Sequence, residues 1–245
     1  MSSVVSQGAC PKCGSSDAFT EYDDGHYWCY SCKHYKPPLH MTINNVSKAL
    51  SKPIARFSNA YPNDSTTEIN KEAYLWLKQY GVTNDEIKLN NILWSPSTQM
   101  LIFPIYEGDE NELLMWQGRY FPSRQPKVFT SGNPDDNLLF VHGSNDRVDS
   151  TVVVVEDIVS AIKVTRVVTA TPLFGAHLSL RKAVRLSKMF EHLVLWLDQD
   201  KTVDMLKFKE SYSTLFKTIK IISTKQDPKE FTTEKIKELV CVEEQ

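Results

Sequence analysis

The sequence lacks any run of about eighteen apolar residues, the length that a membrane-spanning helix needs. Its start, Met1–Gly8, also lacks the basic and then apolar pattern of a secretory leader. We therefore expect neither a membrane span nor a leader, and we expect a protein that works inside the cell.

An excess of one charge is missing as well. The chain has 28 Lys and Arg against 30 Asp and Glu, which gives a formal net charge of -2. Many proteins that bind nucleic acid have a strongly positive net charge. If this chain binds nucleic acid, its positive surface is expected to be local.

The nine glycines include no G-x-x-x-x-G-K loop, so the sequence predicts no ATPase of the P-loop type. Disorder is excluded for most of the chain, because 41% hydrophobic and 11% aromatic residues are close to the globular average. A length of 245 residues indicates one or two soluble domains.

Cysteine is concentrated at the start, where four of the five form the pattern C-x2-C-x15-C-x2-C: Cys10, Cys13, Cys29 and Cys32. Two such pairs predict one tetrahedral zinc site in a small ribbon. Two disulfides are the alternative, but they are rare inside cells. So short a segment needs the metal for its folding energy. Four thiolates leave no open coordination position, so this zinc is expected to be structural.

A β-hairpin is predicted between the two cysteine pairs, because alternating aromatic residues flank the Asp24-Gly25 turn signal. His26 follows this turn. It faces outward in our interpretation, either as a contact residue or as a surface histidine without a role. A ligand role for His26 is disfavoured, since four thiols already satisfy the metal.

From Ser150 onward, short β-branched runs alternate with helical stretches, which is typical of a parallel α/β sheet. The predicted strands are Thr151–Val155, Val167–Thr169, Leu193–Leu197 and Thr218–Ser223. The predicted helices are Asp157–Thr165, Leu178–Glu191, Lys201–Lys217 and Thr233–Val240. The basic stripe Arg181, Arg185 and Lys188 on one of these helices is interpreted as a solvated face rather than a phosphate track.

Acidic residues follow three of these strands. Glu156 comes directly after the first, Asp198 and Asp200 after the third, and Asp227 after the fourth. Ligands of open parallel sheets bind at the carboxyl ends of the strands, and clustered carboxylates repel one another unless a cation lies between them. The sequence predicts a magnesium site there. The alternative is that these acids cap helices or favour helix dipoles.

The remaining segments are less distinctive. Residues 39–61, which contain three Asn, three Ser and Pro53, are predicted to be a linker. Residues 62–149 are predicted to form a small α+β unit with a helix at Lys71–Tyr80 and strands at Met100–Tyr106 and Leu113–Tyr120. Its tryptophans are interpreted as core residues rather than platforms for bases.

Two motifs resemble known families. The window from Cys13-Gly14-Ser15-Ser16-Asp17 through Asp24-Gly25-His26 to Cys29-Tyr30-Ser31-Cys32 resembles the zinc ribbon of bacteriophage primase-helicases. Glu156 and the Asp198-x-Asp200 pair resemble the acids of a TOPRIM domain. The resemblance implies an α/β TOPRIM domain at 150–245, a small α+β primase subdomain at 62–149, a linker at 39–61 and a zinc ribbon (β) at 1–38.

The resemblance also implies roles for individual residues. Asp24 and His26 match ribbon positions that contact template bases. Arg119 and Lys127 match, more loosely, basic residues that line a groove for nucleotide or template. The implied metal ligands are Cys10, Cys13, Cys29 and Cys32 for Zn²⁺, and Glu156, Asp198, Asp200 and Asp227 for Mg²⁺ or Mn²⁺.

One motif departs from the family pattern. The family has Glu-Gly-x-x-Asp where this chain has Glu156-Asp157-Ile158-Val159-Ser160, so a serine stands in place of the last acid. This departure puts full catalytic strength in question but not the metal-binding pair.

The function that the resemblance implies is a DNA primase without a fused helicase. It would join ribonucleoside triphosphates into short RNA primers on single-stranded DNA, with Glu156, Asp198 and Asp200 as catalytic residues. One Mg²⁺ would activate the attacking hydroxyl, and a second would steady the pyrophosphate. A separate replicative helicase and a DNA polymerase are expected partners, and the cytoplasm of an infected bacterium is the expected location. The alternatives are a TOPRIM nuclease and a non-catalytic factor that binds or loads on single-stranded DNA.

Overall fold

Three four-stranded sheets organise the chain in its computed structural model. The structure describes residues 3–23, 26–36, 60–107, 112–132, 149–175 and 178–241. Most of the predicted linker therefore lies outside the described residues. In the described part of the chain, no helix is both long and apolar enough to cross a membrane.

The first sheet is a ribbon of short antiparallel strands in the order β1-β2-β3-β4. Its strands are β1 (Val4–Gly8), β2 (Phe19–Tyr22), β3 (Tyr27–Cys29) and β4 (Tyr35–Lys36). Few of its side chains are buried, among them Cys10, Thr20 and Cys29. A core this small cannot hold the ribbon together by hydrophobic burial alone.

The middle segment opens with two capped helices. The α1 helix (Lys71–Gln79) begins at Asn70, whose side chain accepts from the Glu72 backbone N–H. Gly81, with φ +69, follows the end of α1 in the left-handed conformation that favours glycine. The α2 helix (Asn84–Leu89) begins with a capping box between Thr83 and Glu86.

An antiparallel sheet in the order β5-β6-β7-β8 follows these helices. Its strands are β5 (Leu93–Ser95), β6 (Met100–Glu107), β7 (Glu112–Tyr120) and β8 (Val128–Ser131). Trp94 and Trp116 are buried and Trp76 packs against the core. Their positions agree with the interpretation of the tryptophans as core residues.

The C-terminal sheet is parallel throughout, in the order β10-β9-β11-β12. Its strands are β9 (Thr151–Val155), β10 (Ala170–Pro172), β11 (His192–Leu195) and β12 (Thr218–Ile221). Its helices are α3 (Ile158–Thr165), α4 (Leu180–Ser187), α5 (Thr202–Tyr212) and α6 (Thr233–Val240). The four consecutive valines of β9 are fully buried, as expected for a strand covered on both faces.

One predicted strand is wrong by three residues. Val167 and Val168 do not form a strand, because their backbone N–H groups bond to the Val164 carbonyl and close the end of α3. The strand β10 starts at Ala170, after Thr169 has bonded to the Asp149 carboxylate. A β-branched pair after a helix therefore marked the helix end and not the strand.

The middle and C-terminal segments share one apolar core. Leu77, Leu101 and Phe103 from the middle segment belong to the same buried cluster as Val155 and Ile162 from the C-terminal segment. All eight residues of α3 are buried, since this helix lies within that shared core. The position of the middle segment relative to the acidic end of β9 is therefore fixed by packing.

An ion pair reinforces this junction. The Arg166 Nε and Nη2 atoms donate to the two carboxylate oxygens of Glu86 at 2.6 and 2.7 Å, and Nη2 also donates to the Gly81 carbonyl at 2.8 Å. Burial alone raises the pKa of Glu86, but the hydrogen bonds from Arg166 and Thr83 lower it below its usual value. Such forked, partly buried pairs contribute more than exposed ones.

We expect Arg166→Ala to lower the free energy of unfolding by about 2 to 4 kcal/mol, because it leaves the Glu86 carboxylate half-buried without its partner. The control Lys235→Ala breaks an exposed pair with Glu238 and should cost below about 0.5 kcal/mol. Chemical denaturation of both variants checks this. Equal losses in the two variants would contradict a stabilising role of the Arg166 pair.

Candidate functional site

The four predicted zinc ligands lie together. The Sγ atoms of Cys10, Cys13, Cys29 and Cys32 all lie within 4.8 Å of one another. The Cys10–Cys32 and Cys13–Cys29 sulfurs are 3.8 and 3.7 Å apart, far longer than the bond of about 2.05 Å in a disulfide. The alternative of two disulfides is therefore wrong, and the four cysteines form a zinc-binding site of four sulfurs.

Two matching backbone turns present these sulfurs. The Gly14 N–H donates to the Cys10 carbonyl at 2.9 Å, and the Lys33 N–H donates to the Cys29 carbonyl at 2.8 Å. Gly14 and Lys33 each have a positive φ, of 70° and 56°. Each turn brings the two sulfurs of one C-x2-C pair to the same side, which is what a single tetrahedral ion requires.

His26 lies on the ribbon between two tyrosines and not at the metal. Its ring stacks on Tyr22 with centroids 4.3 Å apart, and Tyr35 lies on it at 5.7 Å. The position outside the metal ligands agrees with the sequence interpretation. Asp24, the other predicted template contact, lies outside the described residues.

The acidic edge of the C-terminal sheet is built by two neighbouring strands. Glu156 directly follows β9, and Asp198 lies three residues beyond the end of β11. These strands pair side by side, while β10 lies beyond β9 and β12 beyond β11. The chain therefore leaves the two central strands in opposite directions, which opens the crevice where parallel sheets bind ligands.

Glu156 is close enough to Asp198 for its charge to oppose the ionisation of Asp198. Burial, together with the charge of Glu156, raises the pKa of Asp198 to about 6. Burial is also the main cause of a raised pKa for Glu156, to which the charge of Asp200 adds. One Glu156 oxygen, Oε2, is buried without a hydrogen-bond partner. Both groups would be stabilised by a cation.

The other two predicted acids differ from this pair. The Asp200 side chain is 75% exposed and lies 3.8 Å from the Lys201 ammonium. Asp227 accepts from the Lys229 ammonium at 2.6 Å. Asp227 also begins the short helical turn Pro228–Glu230, as the helix-start interpretation of that acid predicted, and its backbone N–H donates to Glu230.

Two residues at this edge were missed by the sequence analysis, Asp157 and Lys229. The Lys229 ammonium donates to Asp227 and, at 3.0 Å, to Asp157. Burial lowers the pKa of Lys229, but Asp157 and Asp227 outweigh burial and raise it above the usual lysine value. A lysine two positions after an acid at the end of a strand was the available signal. Its partner Asp157 is 72 positions away, so sequence spacing did not reveal the pair.

The donors at this edge fit a hard divalent cation. Carboxylate oxygens suit Mg²⁺ or Mn²⁺, and a cation would both satisfy the unpartnered Glu156 oxygen and favour the charged form of Asp198. The carboxylates are more widely spread than the sulfurs. Among the described residues, only the four cysteines bring three or more ligand atoms within 4.8 Å of one another.

A row of cationic and aromatic side chains leads from this edge to the middle segment. The Arg119 guanidinium lies 4.3 Å from the Trp76 ring, Trp76 contacts Tyr80 at 5.3 Å, and Lys229 lies 5.5 Å from the Tyr80 ring. Burial lowers the pKa of Arg119, although the charge of Asp157 opposes that shift. Its buried Nε has no hydrogen-bond partner in the described part of the structure.

The two basic residues predicted from the sequence are therefore placed differently. Arg119 lies near the acidic edge, where it interacts electrostatically with Asp157. Lys127 is exposed, just before β8, and its carbonyl accepts from the Tyr120 N–H. The roles predicted for both residues stay predictions.

Comparison with known proteins identifies the ribbon and the fold. Residues 6–36 match the family model of the zinc-binding domain of primase-helicase. The zinc-binding and RNA polymerase domains of the Aquifex aeolicus primase superpose with a TM-score of 0.59 at 12% identity, over 97% of this chain and 79% of that chain. Among curated proteins, none matches the sequence.

Two further solved structures are similar. The DnaG primase catalytic domain bound to ssDNA superposes with a TM-score of 0.55 at 13% identity, over 69% of each chain. The E. coli primase catalytic core gives 0.54 at 12% identity, over 64% of this chain and 67% of that chain. The predicted resemblance to primases is thereby confirmed, together with the zinc ribbon and the mixed α/β architecture.

We expect Cys29→Ser to abolish stoichiometric zinc binding, because the buried Cys29 sulfur is one of the four ligands that fold the ribbon. Cys241→Ser is the matched control, since Cys241 is exposed at the end of α6. Metal analysis of the purified proteins should find zinc in the control and not in Cys29→Ser. Zinc retained in both would exclude the four-sulfur site.

We expect the metal-free protein to lose stability as pH rises from about 4 to above 6. The folded-state pKa of Asp198 is raised to about 6, so the folded state binds more protons than the unfolded state in this window. Asp198→Asn removes this repulsion and should raise the Tm at pH 7 by roughly 2 to 4 °C, the effect of about 1 kcal/mol.

The control is Asp204→Asn, which alters an exposed acid of α5 beside Lys207. Thermal melts at pH 4.5 and pH 7, in buffers without added Mg²⁺ or Mn²⁺ and with the ribbon zinc in place, compare the variants. An Asp198→Asn protein that melts below the parent at pH 7 would contradict the repulsion.

Proposed function

We propose that this chain is a DNA primase, which synthesises short RNA primers on single-stranded DNA from ribonucleoside triphosphates. The observation that carries the proposal is the pair Glu156 and Asp198 at the crevice between the two central strands of a parallel sheet, in a chain with a primase fold and a primase-type ribbon. On this proposal the C-terminal sheet is a TOPRIM domain.

The carboxylates would hold the catalytic cation. Glu156, Asp198 and Asp200 are the proposed Mg²⁺ or Mn²⁺ ligands, and Asp227 supports them from the end of β12. The cation supplies Lewis-acid chemistry, which lowers the pKa of the attacking 3′-hydroxyl. In an alternative to its metal-ligand role, Glu156 is the general base that accepts the proton of that hydroxyl, which its raised pKa favours.

The basic residues would bind the anionic substrates. Arg119 stacks on Trp76 near the acidic edge, and its guanidinium suits a phosphate or base of a nucleotide. Lys127 is exposed and suits a weaker contact with the template backbone. Local contacts of this kind agree with a net charge of -2 and predict loose, salt-sensitive DNA binding.

The ribbon would select the template. Asp24 and His26 are the proposed contacts with template bases, and the Tyr22 ring, stacked on His26, and the tilted Tyr35 ring support that surface. One structure similar to this chain is described as a primase catalytic domain bound to ssDNA. The proposed partners are a separate helicase and a DNA polymerase. The proposed source is a bacteriophage, and the protein would act in the cytoplasm of its host.

Two rival functions use the same fold. A TOPRIM nuclease would cut nucleic acid with the same acids, and a non-catalytic DNA-binding factor would only bind it. The substitution of Ser160 for an acid favours the second rival. The primase-type ribbon at residues 6–36 favours the polymerase over the nuclease, because template reading is useful only to synthesis.

We expect Asp198→Ala to abolish synthesis of dinucleotides and longer primers while single-stranded DNA binding is retained, because the carboxylate acts on the reaction and not on the template. The assay contains oligonucleotides of varied sequence, labelled ribonucleotides and Mg²⁺. Gel separation of the products distinguishes short RNA, cleaved DNA and a shifted complex without product.

Asp204→Ala, at an exposed acid of α5, is the control and should keep full activity. Synthesis retained by Asp198→Ala would overturn the assignment of the site. Cleaved DNA from the parent protein would support the nuclease, and a shifted band alone would support the binding factor.

A further inference from the structure

Lys229 is an internal cation of the acidic edge. Only 15% of its side chain is exposed, and its ammonium lies 3.0 Å from an Asp157 oxygen and 2.6 Å from an Asp227 oxygen. It therefore bridges a residue that follows β9 and a residue that follows β12. A divalent ion that joined these two carboxylates would need the same position.

Asp157 is fully engaged and cannot ligate a metal without breaking other contacts. Its Oδ1 accepts from the backbone N–H groups of Val159 and Ser160, which caps α3. Its Oδ2 accepts from the Ser160 hydroxyl at 2.7 Å as well as from Lys229. A carboxylate has about four acceptor positions, and these four donors fill them.

The other acids of the edge, Glu156, Asp198 and Asp200, are not neutralised in this way. Glu156 keeps a buried oxygen without a hydrogen-bond partner. Burial and the charges of Glu156 and Asp227 raise the pKa of Asp198, and the Lys229 ammonium offsets this only in part. Asp200 is near Lys201, but at 3.8 Å and largely exposed. The acids thus divide into a neutralised half, Asp157 and Asp227 with Lys229, and a half that still needs positive charge.

We propose that the Lys229 ammonium takes the place of a second metal ion, so that the carboxylates of this chain hold a single divalent cation at Glu156, Asp198 and Asp200. The inference rests on the proposed function, because it concerns the cation site of that function. It replaces the two metal ions that the sequence analysis expected with one metal ion and one ammonium group.

Ser160 belongs to the same arrangement. A second acid at position 160, beside Asp157, would add negative charge to the half that one ammonium neutralises. The buried Ser160 hydroxyl instead donates to Asp157, so this half needs no further cation. A site with a single metal ion therefore explains both the departure from the Glu-Gly-x-x-Asp pattern and the presence of Lys229.

The test is to count Mn²⁺ ions bound by the full, zinc-loaded chain, without nucleotide, from the EPR signal of free Mn²⁺ during titration. Mn²⁺ takes the same oxygen ligands as Mg²⁺ and does not compete for a zinc site made of four thiolates. The parent protein should bind one Mn²⁺ per chain. Lys229→Met and Lys229→Gln should bind a second, because each variant removes the ammonium from between Asp157 and Asp227 and frees the acceptor position that it occupied on each carboxylate.

Two lysine variants serve as controls. Lys229→Arg keeps the charge and should bind one Mn²⁺. Lys201→Met removes a lysine from the same edge without freeing the Asp157 and Asp227 pair, so it should also bind one. Zinc content and melting curves show whether each variant is folded, and the conclusion is drawn from whichever of Lys229→Met and Lys229→Gln is folded.

Two Mn²⁺ ions on the parent protein, or a single ion on the folded Lys229 variants, would overturn the inference. A second ion gained by Lys201→Met would also overturn it, since any loss of positive charge would then suffice. Primer synthesis is measured with the same preparations. If the parent protein binds two ions and makes primers, the inference about Lys229 is wrong and the proposed function stands. If the ion counts are as expected but no primers form, the proposed function is wrong and the inference about Lys229 stands.

Discussion

The repulsion among carboxylates at one edge of a parallel sheet is the constraint on which the rest of this structure depends. Glu156 and Asp198 are forced together because β9 and β11 are neighbours, and burial makes their charges costly. The protein offsets part of this cost with Lys229 and leaves part of it uncompensated. A cation is the simplest group that removes the remainder.

The packing of α3 explains why this arrangement is rigid. The helix is buried along its whole length, and Asp157 caps its first turn while also accepting from Lys229. The shared core beneath it joins the middle and C-terminal segments, and Arg166 ties them together at the surface. Arg119 is thereby held near the acids, although it belongs to a different sheet.

The ribbon follows a different physical principle. It has few buried side chains, so its fold depends on a metal bound by four sulfurs rather than on an apolar core. A unit of this kind can present aromatic rings on its surface at little cost, because those rings are not needed inside. The contacts of the His26 ring with Tyr22 and Tyr35 illustrate this use of aromatic residues.

The sequence by itself determined the features that depend on local spacing. The C-x2-C pairs, the buried run of β9, the helix Thr233–Val240 and the acids that follow the strands were all readable, because each pattern lies within a few residues. The end of α3 was misread as a strand, since β-branched residues favour strands wherever packing does not decide otherwise.

Only the tertiary structure decided which of the acids are paired with Lys229 and which are not. Lys229, two positions after Asp227, is a local sign of that pair. The raised pKa of Asp198 has no such sign, because it depends on the order of the strands, which places Glu156 beside it. The bridge from Lys229 to Asp157 spans 72 positions and exists because β9 and β12 end at the same edge. Charge pairing across a sheet follows distances in space, which the order of residues along the chain does not contain.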